Sequence, residues 1–330
     1  MTGGGPAAVS EPVPVAGLRL SRRFGQDRDW IAVMAILTAL ELAWWASAWL
    51  QGIAPAPWIA AYLLFASVGL VAAAIVRAMR HGRPGAPWHA VVAGTLLVAI
   101  GASVFLPLKY AIPSEIPFWL DRPLAIAERS LLGADPWLVL DRWLGWATRP
   151  LDWLYGCWLP VQLVVLFLVI LAAPSRAKSR ALIAYSLAWF VLGAVAAALL
   201  SSVGPLFFDR VFGGELFGAL RGTLQGRGAA VALAESDRMW QALATGRPGL
   251  VAGISAMPSI HVAISLWIVL VARTLRPGAA IAAWVYFALV WLGSVQLGWH
   301  YASDGLAGAL GMAAMWWLAG VIERRATTPA

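Results

Sequence analysis

Long apolar segments alternate with short polar segments along most of this chain. A helix that crosses a membrane needs about 20 mainly apolar residues, and eight segments approach or reach that length. They are residues 30–50, 57–76, 88–108, 151–173, 181–202, 260–275, 279–298 and 304–322. The pattern predicts an all-α fold, a polytopic membrane helix bundle with about eight transmembrane helices.

Two polar stretches between the predicted spans are long enough to hold helices of their own. In residues 109–150, apolar side chains recur at intervals of three and four residues, which is typical of amphipathic helices at a membrane interface. Pro136, directly after Asp135, is a suitable first residue for the second of these helices. Residues 203–256 form the other stretch, which we also expect to be mostly helical. Both could cap the outer end of the bundle.

The chain is predicted to hold one membrane domain, residues 30–322, between two cytoplasmic segments. Residues 1–29 form an N-terminal arm that we expect to be disordered. Its first 18 residues are rich in Gly, Pro, Ala and Val and lack the apolar core of a signal peptide. Residues 323–330 form the C-terminal tail.

The composition supports the membrane assignment, and the distribution of Arg and Lys explains the net charge. Hydrophobic residues make up 61% of the chain and charged residues 12%, whereas soluble domains have about half and a quarter. The net charge of +8 could indicate a nucleic-acid partner. However, Arg and Lys are in excess in alternate loops, which is the positive-inside pattern. We therefore expect no nucleic-acid partner and an integral protein of a bacterial inner membrane, with both termini in the cytoplasm. The single cysteine, Cys157, gives no disulfide framework.

Two polar motifs at the ends of apolar segments carry the candidate chemistry. Gly253-Ile-Ser-Ala-Met-Pro-Ser-Ile-His261 opens the sixth predicted span, and Gly298-Trp-His-Tyr-Ala-Ser-Asp304 opens the eighth. The topology puts both on the outer, periplasmic or extracellular side. Asp304 follows His300 by four residues, so helical spacing would bring its carboxylate to the imidazole and fix the tautomer. Ser259 is a suitable N-cap, and the backbone amides at that helix start form an anion site.

Each of these residues also has a structural explanation when it is taken alone. An interfacial histidine is commonly solvated, Ser259 could serve only as a cap, and Asp304 could serve only as a polar helix start. Together on one membrane face they favour a functional site, because ionisable groups at membrane spans are costly and tend to be functional. We therefore predict a phosphate-handling site formed by His261, His300 and Asp304. No cluster with metal-ligand spacing is found in the sequence, so we expect no metal and no cofactor.

The pair of motifs resembles the type 2 phosphatidic acid phosphatase superfamily, and most of all its branch of inositol phosphorylceramide synthases. The resemblance lies in Pro258-Ser259-x-His261 and His300-Tyr301-x-x-Asp304, and it is specific over roughly residues 200–320. It implies a lipid phosphatase or phosphotransferase that acts on a phosphate ester at the outer membrane face. The partners would be a membrane lipid phosphate, the bilayer and an acceptor, either water or an alcohol such as a polyol.

The resemblance also implies a role for each motif residue. His300 would attack phosphorus and form a phosphohistidine, and Asp304 would orient it. His261 would protonate the departing alcohol and later activate the acceptor. Ser259 and nearby backbone amides would hold phosphate oxygens.

The sequence departs from the family pattern at its cations. The family's Arg six residues before the nucleophilic histidine is replaced here by Ser294, and its Lys and Arg-Pro motif is not found. A phosphoryl group that develops charge still needs cations. Arg210, which follows the fifth predicted span on the outer side, is the first candidate. Lys109, at the outer end of the third predicted span, is the second. Both could instead be interfacial anchors.

Two functions from other classes compete with the enzyme. A lipid transporter or flippase on the same fold would be expected to carry polar groups near the middle of the membrane, whereas the ionisable residues here cluster at one surface. A membrane scaffold would need none of this chemistry, and substitution of His261 or His300 would leave it unaffected.

Overall fold

The computed structural model describes residues 16–79, 85–245 and 253–326. All regular secondary structure in these residues is helical, which confirms the predicted all-α class. The α-helices are α1 (Ala16–Leu50), α2 (Ile59–Met79), α3 (Trp88–Glu115), α4 (Asp121–Leu132), α5 (Pro136–Leu144), α6 (Thr148–Gly156), α7 (Trp158–Ile170), α8 (Arg176–Leu187), α9 (Ala197–Leu199), α10 (Pro205–Phe212), α11 (Gly218–Gly226), α12 (Ala230–Thr245), α13 (Ile260–Leu275), α14 (Ala280–Gln296) and α15 (Ala302–Ala326). A π-helical segment, Ala188–Ala196, joins α8 to α9.

Several helices are long and apolar enough to cross a membrane, so the chain is an integral membrane protein. In the described residues six stretches meet this test, and α5–α6 with α7 make a seventh candidate that is bent by 44°. The six are Asp27–Leu50, Ile59–Met79, Trp88–Glu115, Arg176–Leu199, Pro277–Gln296 and Ala302–Arg325. The predicted count of eight is not confirmed, because the sixth predicted span is α13, which has 16 residues. At 1.5 Å per residue it measures about 24 Å, less than the roughly 30 Å of a hydrocarbon core.

Some helix ends differ from the predicted ends. Helix α1 begins at Ala16, so residues 16–29 of the predicted N-terminal arm are helical, and no proline interrupts the chain there. Helix α3 continues through Pro107 and Pro113 to Glu115, since spanning helices tolerate proline. Residues 1–15, 246–252 and 327–330, which belong to the predicted arm, second polar stretch and tail, lie outside the described residues.

The two long polar stretches form short helices beside the bundle, as predicted. Helices α4 and α5 occupy the first stretch. Gly133 ends α4 with φ of +71°, a conformation that suits glycine, and Asp135 and Pro136 start α5. Helices α10, α11 and α12 occupy the second stretch.

Helix α13 lies in the centre of the bundle and packs against α8, α14 and α15. Its residues Val262, Ile264 and Trp267 are fully buried. The Trp267 Nε1–H donates to the Ala181 carbonyl of α8 at 2.8 Å. His261 therefore begins a helix that is fixed on several sides.

A buried ion pair joins α1 to α8 at the other end of the bundle. The Lys178 Nζ lies 3.0 Å from the Asp27 Oδ1, and both side chains are almost completely buried. The Trp30 Nε1–H donates to the same oxygen at 2.8 Å. Each charge is thus compensated inside the protein.

Candidate active site

The two sequence motifs meet where α13 and α15 begin. The Ser259 N–H donates to the Asp304 carbonyl at 2.9 Å. One turn further along α15, Gly308 lies so close that a Cβ there would be 2.3 Å from the Ser259 carbonyl oxygen. Only a residue without a side chain permits this approach. The first turns of α13 and α15 are therefore in backbone contact, and this contact sets the separation of the two histidines.

His300 lies in the turn before α15, and its ring faces Asp304. Its Nδ1 is 3.3 Å from the Asp304 Oδ2, which also accepts the Tyr301 N–H at 2.9 Å. The His300 N–H donates to the Ser294 carbonyl at 3.1 Å. His300 precedes the helix start at Ala302, so the turn rather than helical spacing makes the contact. A proton on Nδ1 that is donated to Asp304 leaves Nε2 with a lone pair.

His261 lies in the first turn of α13 among aromatic rings. Its ring centroid is 5.8 Å from that of His300, 4.8 Å from that of Tyr155 and 4.2 Å from that of Trp158. The Trp158 Nε1–H donates to the His261 carbonyl at 3.0 Å. The Nδ1 of His261 is buried and has no hydrogen-bond partner among the described residues. The two imidazoles are thus neighbours in an edge-on arrangement, with an interplanar angle of 61°, and Tyr155 and Trp158 pack against His261.

Ser259 is the N-cap of α13. Its hydroxyl oxygen accepts the Val262 N–H at 3.4 Å, and its own hydroxyl hydrogen can still be donated. The N–H groups of Ile260 and His261 belong to the first helical turn, where intrahelical acceptors do not exist. This helix start can therefore offer amides and a hydroxyl to an anion.

The structure brings Lys109 to the first motif but holds Arg210 elsewhere. A Cβ at Gly253 would lie 2.9 Å from the Lys109 Cγ, and the Lys109 ammonium is within electrostatic reach of His261. The sequence predicted that Lys109 lies at the outer end of its helix. This is wrong, because α3 continues to Glu115.

Arg210 instead binds α12. Its Nη2 is 2.6 Å from the Asp237 Oδ1, and its guanidinium lies over the Trp240 ring. Arg221 shares the same carboxylate. The hydrogen bond from Arg210 and the charge of Arg221 lower the pKa of Asp237. Arg210 thus already has an anionic partner.

Tyr155 and Trp158 were not identified from the sequence as site residues. They lie more than 100 positions before His261, and their aromatic rings are equally typical of membrane interfaces. No sequence signal distinguished them. In the described part of the chain, no group of three or more His, Cys, Asp or Glu side chains has an arrangement that could hold a metal ion.

Comparison with known proteins gives one match. The sequence model of the PAP2 superfamily matches residues 122–318, which is more than half of the chain and includes His261, His300 and Asp304. No curated protein and no solved structure matches the chain.

Proposed function

The chain belongs to the PAP2 superfamily, and from this membership we propose that it cleaves a phosphate ester of a membrane lipid through a phosphohistidine on His300. The family match supports an enzyme of the lipid phosphatase or phosphotransferase type. The observation that carries the finer proposal is the arrangement of His300 between the Asp304 carboxylate, 3.3 Å from its Nδ1, and the ring of His261, 5.8 Å away.

In the first step the Nε2 of His300 forms a bond to phosphorus, and the bond from phosphorus to the alcohol oxygen of the lipid breaks. His261 gives its proton to that oxygen, so the alcohol leaves neutral. Asp304 keeps the proton on Nδ1 and stabilises the positive ring of the phosphohistidine. In the second step His261 takes a proton from the acceptor, whose oxygen attacks phosphorus and displaces His300.

Charge on the phosphoryl oxygens would be stabilised by Lys109 and by the start of α13. Lys109 is the cation beside the first motif, whereas Arg210 is held by Asp237. We therefore assign Lys109, and not Arg210, the role of the family's absent arginine. The hydroxyl of Ser259 and the amides of Ile260 and His261 would donate to the oxygens that Lys109 leaves uncovered.

The acceptor is proposed to be an alcohol such as a polyol, as in inositol phosphorylceramide synthases, with water as the alternative. The His-Tyr pair before Asp304 and the absence of the family's Arg at Ser294 favour the synthase-like branch. We place the site on the outer side of a bacterial inner membrane, because the basic loops of the sequence lie on the opposite side.

The proposal is tested with purified protein and a panel of lipids that carry a radiolabelled phosphate headgroup, with and without polyol acceptors. His300→Ala should abolish both phosphate release and transfer. In His261→Ala both steps should be slow, because the leaving alcohol is not protonated and the acceptor is not activated, and the phosphate that is trapped on the protein should be acid-labile. His89→Ala is the matched control, since His89 is exposed and lies on α3. Turnover by His300→Ala at the wild-type rate would exclude the phosphohistidine.

The same experiment separates the competing functions. A transporter or flippase would move lipid between leaflets without release of phosphate, and a scaffold would show neither activity. Lipid movement that survives in His300→Ala, with no phosphate chemistry in the wild type, would favour the transporter.

A further inference from the structure

Helix α4 buries a face that carries two carboxylates. Its buried residues are Asp121, Ala125 and Glu128, whose spacing of four and three residues places them on one side of the helix. Asp121 is fully buried and Glu128 is 6% exposed. A buried helix face is usually apolar, since burial of a charge costs free energy unless the charge is bound. The partners of these carboxylates therefore show what the face does.

Asp121 binds the segment before α10 and also Tyr301. Its Oδ1 accepts the Val203 N–H at 3.0 Å, the Gly204 N–H at 2.9 Å and the Tyr301 hydroxyl at 3.2 Å. Burial raises the pKa of Tyr301, and the neighbouring carboxylates raise it further, so the hydroxyl keeps its proton and remains a donor. One carboxylate thus connects two segments that are distant in sequence.

The segment at Val203 and Gly204 in turn supports the residues before His300. Gly204 has φ of +82°, and a Cβ on it would lie 2.3 Å from the Trp299 carbonyl oxygen. Next to it, the Leu206 N–H donates to the Gly298 carbonyl at 2.8 Å. Asp121 therefore fixes the chain on both sides of His300.

Glu128 binds the first turn of α15. Its carboxylate accepts the Ser303 N–H and hydroxyl, both at 2.7 Å, and the Ala302 N–H at 3.2 Å. These groups lie at the N-terminus of α15, where a negative charge is favourable. Glu128 thus fixes the helix start that also carries Asp304.

From these contacts we propose that Asp121 and Glu128 are positioning residues for His300, through Tyr301 and the first turn of α15. The inference rests on the proposed function, in which His300 is the nucleophile. The two carboxylates would hold the Nε2 of His300 in line with phosphorus.

The charge of these carboxylates also suits the reaction. All the donors described above for Asp121 and Glu128 are neutral N–H or O–H groups, so their negative charge is not cancelled. When the Nε2 of His300 bonds to phosphorus, its ring becomes positive, and the nearby carboxylates stabilise it. Burial raises the pKa of Asp121 to about 6, and the negative charge of Asp304 also acts to raise this pKa. Asp121 is therefore mainly ionised at pH 7.

The experiment compares kcat and KM of Tyr301→Phe, Asp121→Asn and Glu128→Gln for a radiolabelled phosphatidic acid in detergent micelles. We expect kcat to fall by roughly 10- to 100-fold with KM within about twofold of wild type, since misplacement of a reacting group by about 1 Å can cost 100-fold. Asp121→Asn and Tyr301→Phe together should cost little more than either alone, because they break the same contact.

Asp152→Asn is the matched control. Asp152 is also buried, and its carboxylate accepts the Val231 and Ala232 N–H groups, both at 2.8 Å, in the first turn of α12. The control should keep its kcat. An equal loss of kcat in Asp152→Asn would mean that removal of any buried carboxylate lowers the activity through a general effect on folding. This result would overturn the inference.

The other outcomes also decide. If His300→Ala is inactive while Tyr301→Phe, Asp121→Asn and Glu128→Gln keep the wild-type kcat, the positioning role is wrong and the proposed function stands. If His300→Ala is active, the proposed function fails and the inference with it. Should a carboxylate variant fail to fold, Tyr301→Phe decides, because it removes a single hydroxyl.

Discussion

The close approach of α15 to Ser259 gives a prediction whose size follows from the structure. A Cβ at residue 308 would lie 2.3 Å from the Ser259 carbonyl oxygen, whereas ordinary contact begins at 3.4 Å. In Gly308→Ala the backbone at the start of α13 and that of α15 must therefore separate by about 1 Å. The bond from the Ser259 N–H to the Asp304 carbonyl, now 2.9 Å, would be lost.

Such a separation moves His261 away from His300. Because a displacement of about 1 Å at a reacting centre can cost 100-fold in rate, we expect Gly308→Ala to lower kcat by about that factor, or roughly 2.7 kcal/mol. The assay measures release or transfer of radiolabelled phosphate from the lipid in micelles. The melting temperature and gel-filtration profile would show that the variant is folded.

Gly222→Ala is the matched control. Gly222 lies in α11, and a Cβ there would meet nothing within 4 Å. The change should leave kcat unaltered and stabilise the protein by up to about 1 kcal/mol, because alanine is the better helix former. A folded Gly308→Ala variant with the kcat of the control would refute the argument that this contact sets the geometry of the site.

Three further predictions concern charged groups. Lys109→Met should lower kcat by about 100-fold or more, whereas Arg210→Met should keep a kcat within a few-fold of wild type, as steady-state rates would show. A larger loss in Arg210→Met than in Lys109→Met would identify Arg210 as the phosphate-binding cation. Lys178→Met should destabilise the protein by roughly 3–5 kcal/mol, because it leaves Asp27 buried without its partner, and a second change, Asp27→Leu, should restore most of the melting temperature. The folded-state pKa of Asp121 is raised from 3.8 to about 6, so its contribution to stability is present below pH 4 and is lost as pH rises through 6. In Asp121→Asn the free energy of unfolding should therefore vary by about 3 kcal/mol less between pH 4 and 7. An unchanged pH profile of stability would contradict this.

The helical segments and the paired motifs could be predicted because their signals are local. An apolar run of about 20 residues predicts a spanning helix wherever it packs. The spacing of His300 and Asp304 limits their distance whether the residues lie in a helix or in a turn. The helix ends were less predictable. Helix α1 already begins at Ala16, within the predicted arm. Helix α3 contains Pro107 and Pro113, because spanning helices tolerate proline.

The surroundings of the site could not be predicted, since they depend on contacts between distant segments. Arg210 was the first candidate cation in the sequence and Lys109 the second, but Asp237, 27 residues further along, binds Arg210. Asp121 contacts Tyr301 across 180 residues. The sequence of α4 does place two acids, Asp121 and Glu128, on one side of the helix. It does not show which segment that side of the helix contacts.

The short length of α13 bears on how deep in the membrane the proposed reaction would take place. In α13, His261 lies 12 residues from Arg273, which is in the last turn, and this corresponds to about 18 Å along the helix axis. If Arg273 lay at one boundary of a hydrocarbon core about 30 Å thick and α13 stood upright in it, His261 would lie roughly 12 Å below the other boundary. A lipid phosphate would reach that depth where the bilayer thins around the protein. Hydrophobic mismatch would then favour substrates that arrive from within the membrane over soluble phosphate esters, and the turnover rate would depend on the thickness of the host membrane.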